Sequence, residues 1–390
     1  MIAESEEVCV EDLIDEIAMG PFGSNIKTDC FVNSGIPVFN GSNLTGFETN
    51  DTALRYVTPE KANSLGNALA SRGDIVITHR GTLGQVAMVP YDSKYPRYVI
   101  SQSQFRIRCN DKVLPKFFVY YFHTREGQWR LLSNKTQTGV PALGRPTSTF
   151  RKLSMPLPTF EKQAKIVQVI DTIQEKIKNN TKLNGYLEEQ CEAVANHEKG
   201  LAVELSSLCD LVKEKADYNE ADFDTYVSTE SLLPGKKGRQ APSSLPQTGK
   251  VTVYKAGDIL VSNIRPYFKK IWYADRTGTC SGDVLVFRAK QPEQSGYLYS
   301  CMRSDAFFDY VMKGTKMPRG DKKQMLTYKV ASNPSGATVD FIESALSQAS
   351  SSSKENHRLA ALRDNLLPKL MSGEIDVSKV DLKQLNSHLG

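Results

Sequence analysis

Several signatures that would settle a function at once are missing from these 390 residues. No stretch reads G-x-x-x-x-G-K-[ST] or G-x-G-x-x-G, and the glycine pairs Gly20/Gly23 and Gly81/Gly84 are too sparse to cradle a phosphate. The histidines (His79, His123, His197, His357, His388) show no H-x-x-x-H spacing and no neighbouring cysteine pair, which argues against a metal site. The E-x-K element of many nucleases is absent. D-x-K matches such as Asp92 with Lys94 or Asp321 with Lys323 are of the kind chance supplies. Nothing reads N/D-P-P-Y, as an amino-methyltransferase would, because Asn333-Pro334-Ser335-Gly336 lacks the second proline and the aromatic. A catalytic centre within this chain is therefore not expected.

Cysteine usage excludes another class. The residues Cys9, Cys30, Cys109, Cys191, Cys209, Cys280 and Cys301 are odd in number and scattered, without a C-x-x-C pair, so neither a disulfide framework nor a zinc knuckle is expected. They read as buried thiols of a reducing cytoplasm. The amino-terminal stretch is acidic where a signal peptide needs base, and no apolar run approaches the roughly 20 residues of a membrane span. A soluble cytoplasmic protein without a membrane partner is expected. A formal net charge of only +5 means that any anionic partner must be met by local patches.

What is present is a repeat. Gly73-Asp74-Ile75-Val76 returns as Gly257-Asp258-Ile259-Leu260, and the strand ending at Arg108 returns as one ending at Arg288. The aromatic-rich segment 114–132 answers 295–313, each read as one amphipathic helix, and the Gly, Pro and basic loop 136–150 answers 313–328. The aromatics Phe118, Tyr120, Tyr121, Phe122, Phe307, Phe308 and Tyr310 fall on helical periodicity and read as core. Each half then runs into a long helix. The first carries Ile166, Ile173, Leu187 and Val194 at heptad spacing, flanked by Val169, Ile170, Ile177, Leu183 and Cys191. The second carries Phe341, Ile342, Leu346, Ala349, Leu359, Leu362, Leu366 and Leu370, with Pro368 bending its last turn and Gly373 as a stop. Chain direction makes the two antiparallel. Matching their ends puts Asn180 opposite about position 357, where it pairs with Asn356 or His357 or else faces water at the edge of the stripe.

These features predict an α+β architecture: two globular mixed α/β domains joined by two long antiparallel helices packed as a coiled coil, with a pseudo-two-fold internal repeat. The boundaries are 1–158 and 201–336 for the domains, 159–200 and 337–373 for the helices, and 374–390 for a tail. Such a helix pair makes a rod on the order of 55 Å.

Over this frame the loops hold the side chains that read nucleic acid, with Arg and Lys for phosphate or guanine and Asn and Gln for adenine. In the first half these are Ser24, Asn25 and Lys27; Asn43; Arg80, Thr82 and Gln85; Gln102 and Gln104; and Lys135, Gln137, Thr138 and Arg145. In the second they are Lys236 and Lys237; Asn263, Arg265, Lys269 and Lys270; and Lys316, Arg319, Lys322 and Lys323. Singly, each is what a solvated face shows. Recurrence at equivalent places of two halves gives them weight, foremost Arg80, Gln85, Gln137 and Arg265.

The segments GPFGSNIKTDCFVNSGIPVFNGSNL (20–44), GDIVITHRGTLGQVAMV (73–89), YVISQSQFRIR (98–108), TGVPALGRPTSTFRKLSMPLPTFEKQAKIV (138–167) and HRLAALRDNLLPKLMSGEIDV (357–377) resemble the specificity subunit of a bacterial type I restriction-modification enzyme. The resemblance implies two target-recognition domains, each reading one half of a split site in double-stranded DNA, and a helix pair that docks two methyltransferase subunits. S-adenosylmethionine, ATP and Mg would then belong to the methyltransferase and restriction subunits, with no cofactor in this chain and no activity of its own. A coiled-coil scaffold with protein-binding ends is the alternative, and a self-sufficient methyltransferase or nuclease is a third reading that the missing motifs oppose.

Overall fold

The computed structural model describes residues 6–21, 23–136, 139–313 and 319–381. It divides into two compact units, one of Met1–Lys176 with Leu359–Gly390 and one of Ile177–Arg358.

In the first unit the central sheet is antiparallel. Its strands are β1 (Ile14–Met19), β2 (Ile75–Thr78), β3 (Val86–Met88) and β4 (Gln104–Cys109), in the order β1-β4-β2-β3. Ile75 pairs with Met88 and Ile107, and Ile77 with Val86 and Phe105. Strand side chains alternate between faces, so β2 serves two cores at once. Ile75 and Ile77 pack with the helical aromatics, while Val76 and Ala87 pack with Phe39, Tyr98 and Ile100 beneath a second sheet of five strands. That double burial is why the segment reads as an unbroken apolar run. The aromatics of α1 (Pro115–His123) are interior, as expected. Phe117, Phe118 and Phe122 are fully buried and contribute about 1.5–3 kcal/mol each.

Residues 114–132 do not form the single helix expected. Thr124 ends α1 and caps α2 (Arg125–Leu132): its Oγ1 donates to Tyr121 O and accepts from Gly127 N–H. A short helical turn at Pro146–Arg151 follows, and then the long helix α3 (Phe160–His197).

The second unit repeats this plan. Strands β5 (Cys209–Leu211), β6 (Ile259–Ser262), β7 (Ile271–Tyr273) and β8 (Val284–Ala289) stand in the order β5-β8-β6-β7, position for position that of the first sheet. Two helices again follow in place of one, α4 (Ser295–Met302) and α5 (Asp305–Lys313), with Ser304 Oγ donating to Cys301 O and accepting from Phe307 N–H. The layer outside the central sheet differs, with three strands where the first unit has five.

Both Gly-Asp turns are built alike. Gly73 and Gly257 each sit at φ +86, a conformation costly for any side chain. Asp74 Oδ2 accepts from Ser71 N–H and Asp258 Oδ2 from Lys255 N–H, each at 2.8 Å. The same carboxylates take the guanidinium of the neighbouring strand: Arg108 Nε lies 2.8 Å from Asp74, and Arg288 Nε 2.7 Å from Asp258. Asp74 and Asp258 are both buried, and hydrogen bonding to them holds each arginine above its usual pKa. The recurring Arg at the strand end is thus the anchor of the recurring Asp.

A second long helix, α6 (Gly336–Met371), lies antiparallel to α3, and each unit contains a stretch of both. In the second unit Asn180 Nδ2 donates to Glu355 (2.6 Å) and to Asn356 Oδ1 (3.0 Å), while Asn356 Nδ2 reaches Thr181 Oγ1 (3.1 Å). The polar pair is therefore made through Asn356, and His357 bonds back to Ser353 O of its own helix. In the first unit Ile166, Val169 and Ile170 share a core with Leu367, Leu370 and Met371. Three stripe positions depart from the expected seam: Leu183, Phe341 and Leu362 are exposed. Ile342 and Leu367 turn inward beside Phe341 and Leu366, because a straight helix drifts in phase against a strict heptad. The thiols are free, and burial pushes those of Cys209, Cys280 and Cys301 up to about 12.

Candidate nucleic-acid interface

The loop joining β2 to β3 is the centre of the candidate surface in the first unit. Its backbone is tied to a small hairpin (Lys135–Thr136 with Ala142–Leu143): Gly81 N–H donates to Pro141 O at 2.9 Å and Leu143 N–H to His79 O at 2.8 Å. Other bonds tie it to two further loops. His79 Nε2 donates to Gln102 O at 3.1 Å, and Gln85 Nε2 to Gly41 O at 2.8 Å. Four loops distant in sequence thus form one mesh. Burial lowers the pKa of His79, keeping its imidazole neutral within this mesh.

The expected residues divide sharply by burial. Arg80, Thr82, Gln102 and Lys135 are exposed on these loops, as are Asn25 and Lys27 on the segment after β1 and Arg145 just past the hairpin. Gln85 is half-buried and its amide is spent on Gly41 O and on Thr78, whose Oγ1 donates to it at 2.9 Å. Asn43 and Gln104 are buried. Asn43 donates to Asn50 O and Thr52 O and accepts from Asn40 N–H, while Gln104 accepts from Ser101 N–H. These three side chains are spent on organising their own loops. Gln137 and Thr138 lie outside the described residues, as does the side chain of Ser24.

Beside the mesh is a cleft of about 430 Å³ lined by Asn40, Ser42, Arg55 and Gln102 over Phe31 and Phe39. Arg55 was not among the expected residues. Its guanidinium lies 5.1 Å from the Phe31 ring centroid, in the five-stranded outer sheet, whose build differs from the three-stranded outer sheet of the second unit, so the repeat gave no signal for it.

In the second unit the equivalent loop joins β6 to β7. Ser262 N–H donates to Lys270 O at 3.0 Å as Thr78 N–H does to Gln85 O, and Ile264 bridges Arg319 as Arg80 bridges Ala142. The two left-handed positions of the first loop are glycines, Gly81 (φ +88) and Gly84 (φ +89). Here they are Arg265 (φ +51) and Lys269 (φ +50). A side chain at such a position costs on the order of 1 kcal/mol or more that glycine avoids. Lys269 has an internal use, since its ammonium lies 3.0 Å from Asp305, which Lys236 also meets at 2.8 Å. These two cations hold the Asp305 carboxyl below its ordinary range. Arg265 is exposed, and among the described residues its side chain has no partner.

The remaining expected residues of this unit scatter around that loop. Lys237, Lys322 and Lys323 are exposed, and Arg319 is exposed with Asp283 at 3.4 Å. Lys270 donates to Thr229 O at 2.6 Å, and burial lowers its pKa. Asn263 is buried and forms part of the loop's base. Lys316 lies outside the described residues. Among the described residues no group of three or more His, Cys, Asp or Glu is placed to hold a metal ion, and no helix is long and apolar enough to cross a membrane.

Comparison with known proteins agrees with this geometry. Residues 4–189 match the family described as the type I restriction modification DNA specificity domain. Among solved structures, the crystal structure of the type I restriction-modification system S subunit from M. genitalium covers 94% of this chain and 96% of its own, at 15% identity and a TM-score of 0.51. The HsdS subunit from Thermoanaerobacter tengcongensis covers 95% and 97% at 14% identity, with a TM-score of 0.39. Nothing matches among curated proteins. Fold, loops and family match together define a DNA-recognition subunit. The matched residues resemble the type I restriction-modification DNA specificity domain, and the match runs through the amino-terminal segment of the first unit and into the second half of α3.

Proposed function

We propose that each unit reads one half of a bipartite site in double-stranded DNA and that the helix pair docks two methyltransferase subunits, to which restriction subunits join. The observation that carries this reading is the repeat itself. One strand order, one Gly-Asp turn and one Asp–Arg anchor occur twice, under loops that differ. A shared frame with divergent loops is what reading two unlike sequences requires, because frame residues decide stability and loop residues decide contacts. Exposed Arg80, Gln102 and Arg145 in the first unit and Arg265, Lys237 and Arg319 in the second supply the base and phosphate contacts.

Docking is supported by Leu183, Tyr186, Phe341 and Leu362, large apolar side chains left exposed on α3 and α6. In this reading the chain is a cytoplasmic, non-catalytic subunit. S-adenosylmethionine, ATP and Mg stay with its partners. Mapping methylated adenines in the host genome with and without the gene tests it directly. Loss of one bipartite motif is the expected result, and an unchanged set of motifs would contradict it. Equilibrium binding of S-adenosylmethionine to the isolated chain would instead favour a self-sufficient enzyme.

A further inference from the structure

The β6–β7 loop of the second unit presents something its counterpart lacks. One extra residue separates the two left-handed positions, and the segment between them is Pro266-Tyr267-Phe268 instead of Thr82-Leu83. Leu83 turns inward against the core of its unit. Tyr267 and Phe268 do the opposite: they are 53% and 38% exposed, with ring centroids 4.6 Å apart. Neither belongs to a hydrophobic cluster of its unit.

The turn that displays them is held firmly. Phe268 N–H donates to Arg265 O at 3.0 Å and Lys269 N–H to Pro266 O at 2.8 Å. A second loop clamps it from the side, Gly235 N–H donating to Phe268 O at 2.8 Å and Lys236 N–H to Lys269 O at 2.9 Å. The ammonium groups of Lys236 and Lys269 then share Asp305 across the base of the knuckle. Two apolar rings held out in water on a fixed support, in a strained turn, imply a partner that accepts them. Cations predominate around them: Arg265, Lys237 and Arg319 are exposed on the same and adjoining loops, while the neighbouring carboxylates Asp305 and Asp283 are already paired with Lys236, Lys269 and Arg319. An apolar protein partner would not call for that rim, whereas duplex DNA offers phosphates to the cations and a base step to the rings.

We propose that Tyr267 and Phe268 form a wedge that enters a base step of the half-site read by the second unit, with Arg265 gripping the nucleotide beside it. The first unit, with Gly81-Thr82-Leu83-Gly84 in the same place, reads its half without such a wedge. This rests on the reading that the second unit binds duplex DNA. Local unstacking would make this half-site sensitive to how easily its steps open, a form of readout that involves no base-edge hydrogen bond.

The test uses the chain assembled with its methyltransferase subunits and a duplex carrying the mapped site. 2-Aminopurine is placed in turn at each step of either half, away from the methylated adenines. With the natural chain, fluorescence should rise several-fold at one step of the second half. It should fall back to the free-duplex level with Tyr267→Ala/Phe268→Ala and persist with Tyr267→Leu/Phe268→Leu, since leucine also wedges. Absence of any DNA binding by the natural complex would sink the DNA-recognition reading itself. Binding without a rise in the second half, a rise that survives the alanine pair, or loss of the rise in a leucine pair that still binds would each overturn the wedge alone. Should the alanine pair fail to fold, the leucine pair carries the decision.

Discussion

The two units agree where physics constrains a frame and differ where a ligand would be met. Both central sheets share one strand order, and both Gly-Asp turns use the same φ, the same backbone bond to the carboxylate and the same arginine anchor. The outer layers differ by two strands. At the left-handed turn positions one loop uses glycines and the other Arg265 and Lys269. A frame can keep its geometry while few identities persist, because a buried carboxylate, a turn glycine and alternating apolar residues suffice to rebuild it. The loops above it are then free to specialise.

The largest expected effect strikes the frame in either unit. Asp74→Ala should cost about 3–5 kcal/mol in chemical denaturation, because Arg106, itself buried, loses a carboxylate 3.6 Å away along with Arg108. Asp258→Ala should cost less, about 2–3 kcal/mol, since Arg288 is partly exposed and can reach water. The reverse order would show that the anchors are not equivalent parts. Next come the loops. Arg265→Ala should weaken binding of assembled complexes by about 1–3 kcal/mol and relax one base of one half-site, and Arg80→Ala should do so in the other half. Lys237→Ala should weaken all sequences alike, which a salt titration of affinity separates from base reading.

Smaller effects sharpen the comparison of the helices. Asn180→Leu alone should destabilise the second unit by about 1–3 kcal/mol, because Asn356 is left with fewer partners. Adding Asn356→Leu should return most of that loss, and a double-mutant cycle measures it. The smallest effect concerns pH and the first unit. Burial depresses the pKa of His79 and His123 below 6.5 in the folded state, so the unfolded chain binds more protons below that value. Their contribution is complete above pH 6.5 and is lost as pH falls through the depressed values. Melting of the natural chain should weaken from pH 7.5 toward 5.5, and His123→Gln should flatten that slope.

Much of the frame was legible in the sequence because it rests on periodicity and on recurring short strings. The repeat order, the long helices, their antiparallel sense and the Asn180–Asn356 level all follow from spacing alone. The break of each aromatic segment into two helices was less visible. It depends on Thr124 and Ser304 acting as caps, and a hydroxyl within a periodic run reads equally well as a solvent-facing residue. Among candidate site residues, exposure separated Arg80 and Arg265 from Asn43, Gln104 and Asn263. An amide that organises its own loop has the same composition as one that reads a base. Arg55 lay in the outer layer, which is built differently in the two units, so comparison of the halves offered no aligned position for it.

The central claim is that two sensors act separately, one per unit. Selecting duplexes from a random pool with the assembled complex, for the natural chain and for Arg80→Ala and Arg265→Ala, tests it most directly. The account predicts two specified blocks with an unspecified gap, Arg80→Ala altering one block and Arg265→Ala only the other. A single unbroken block, or one substitution that alters both, would contradict it.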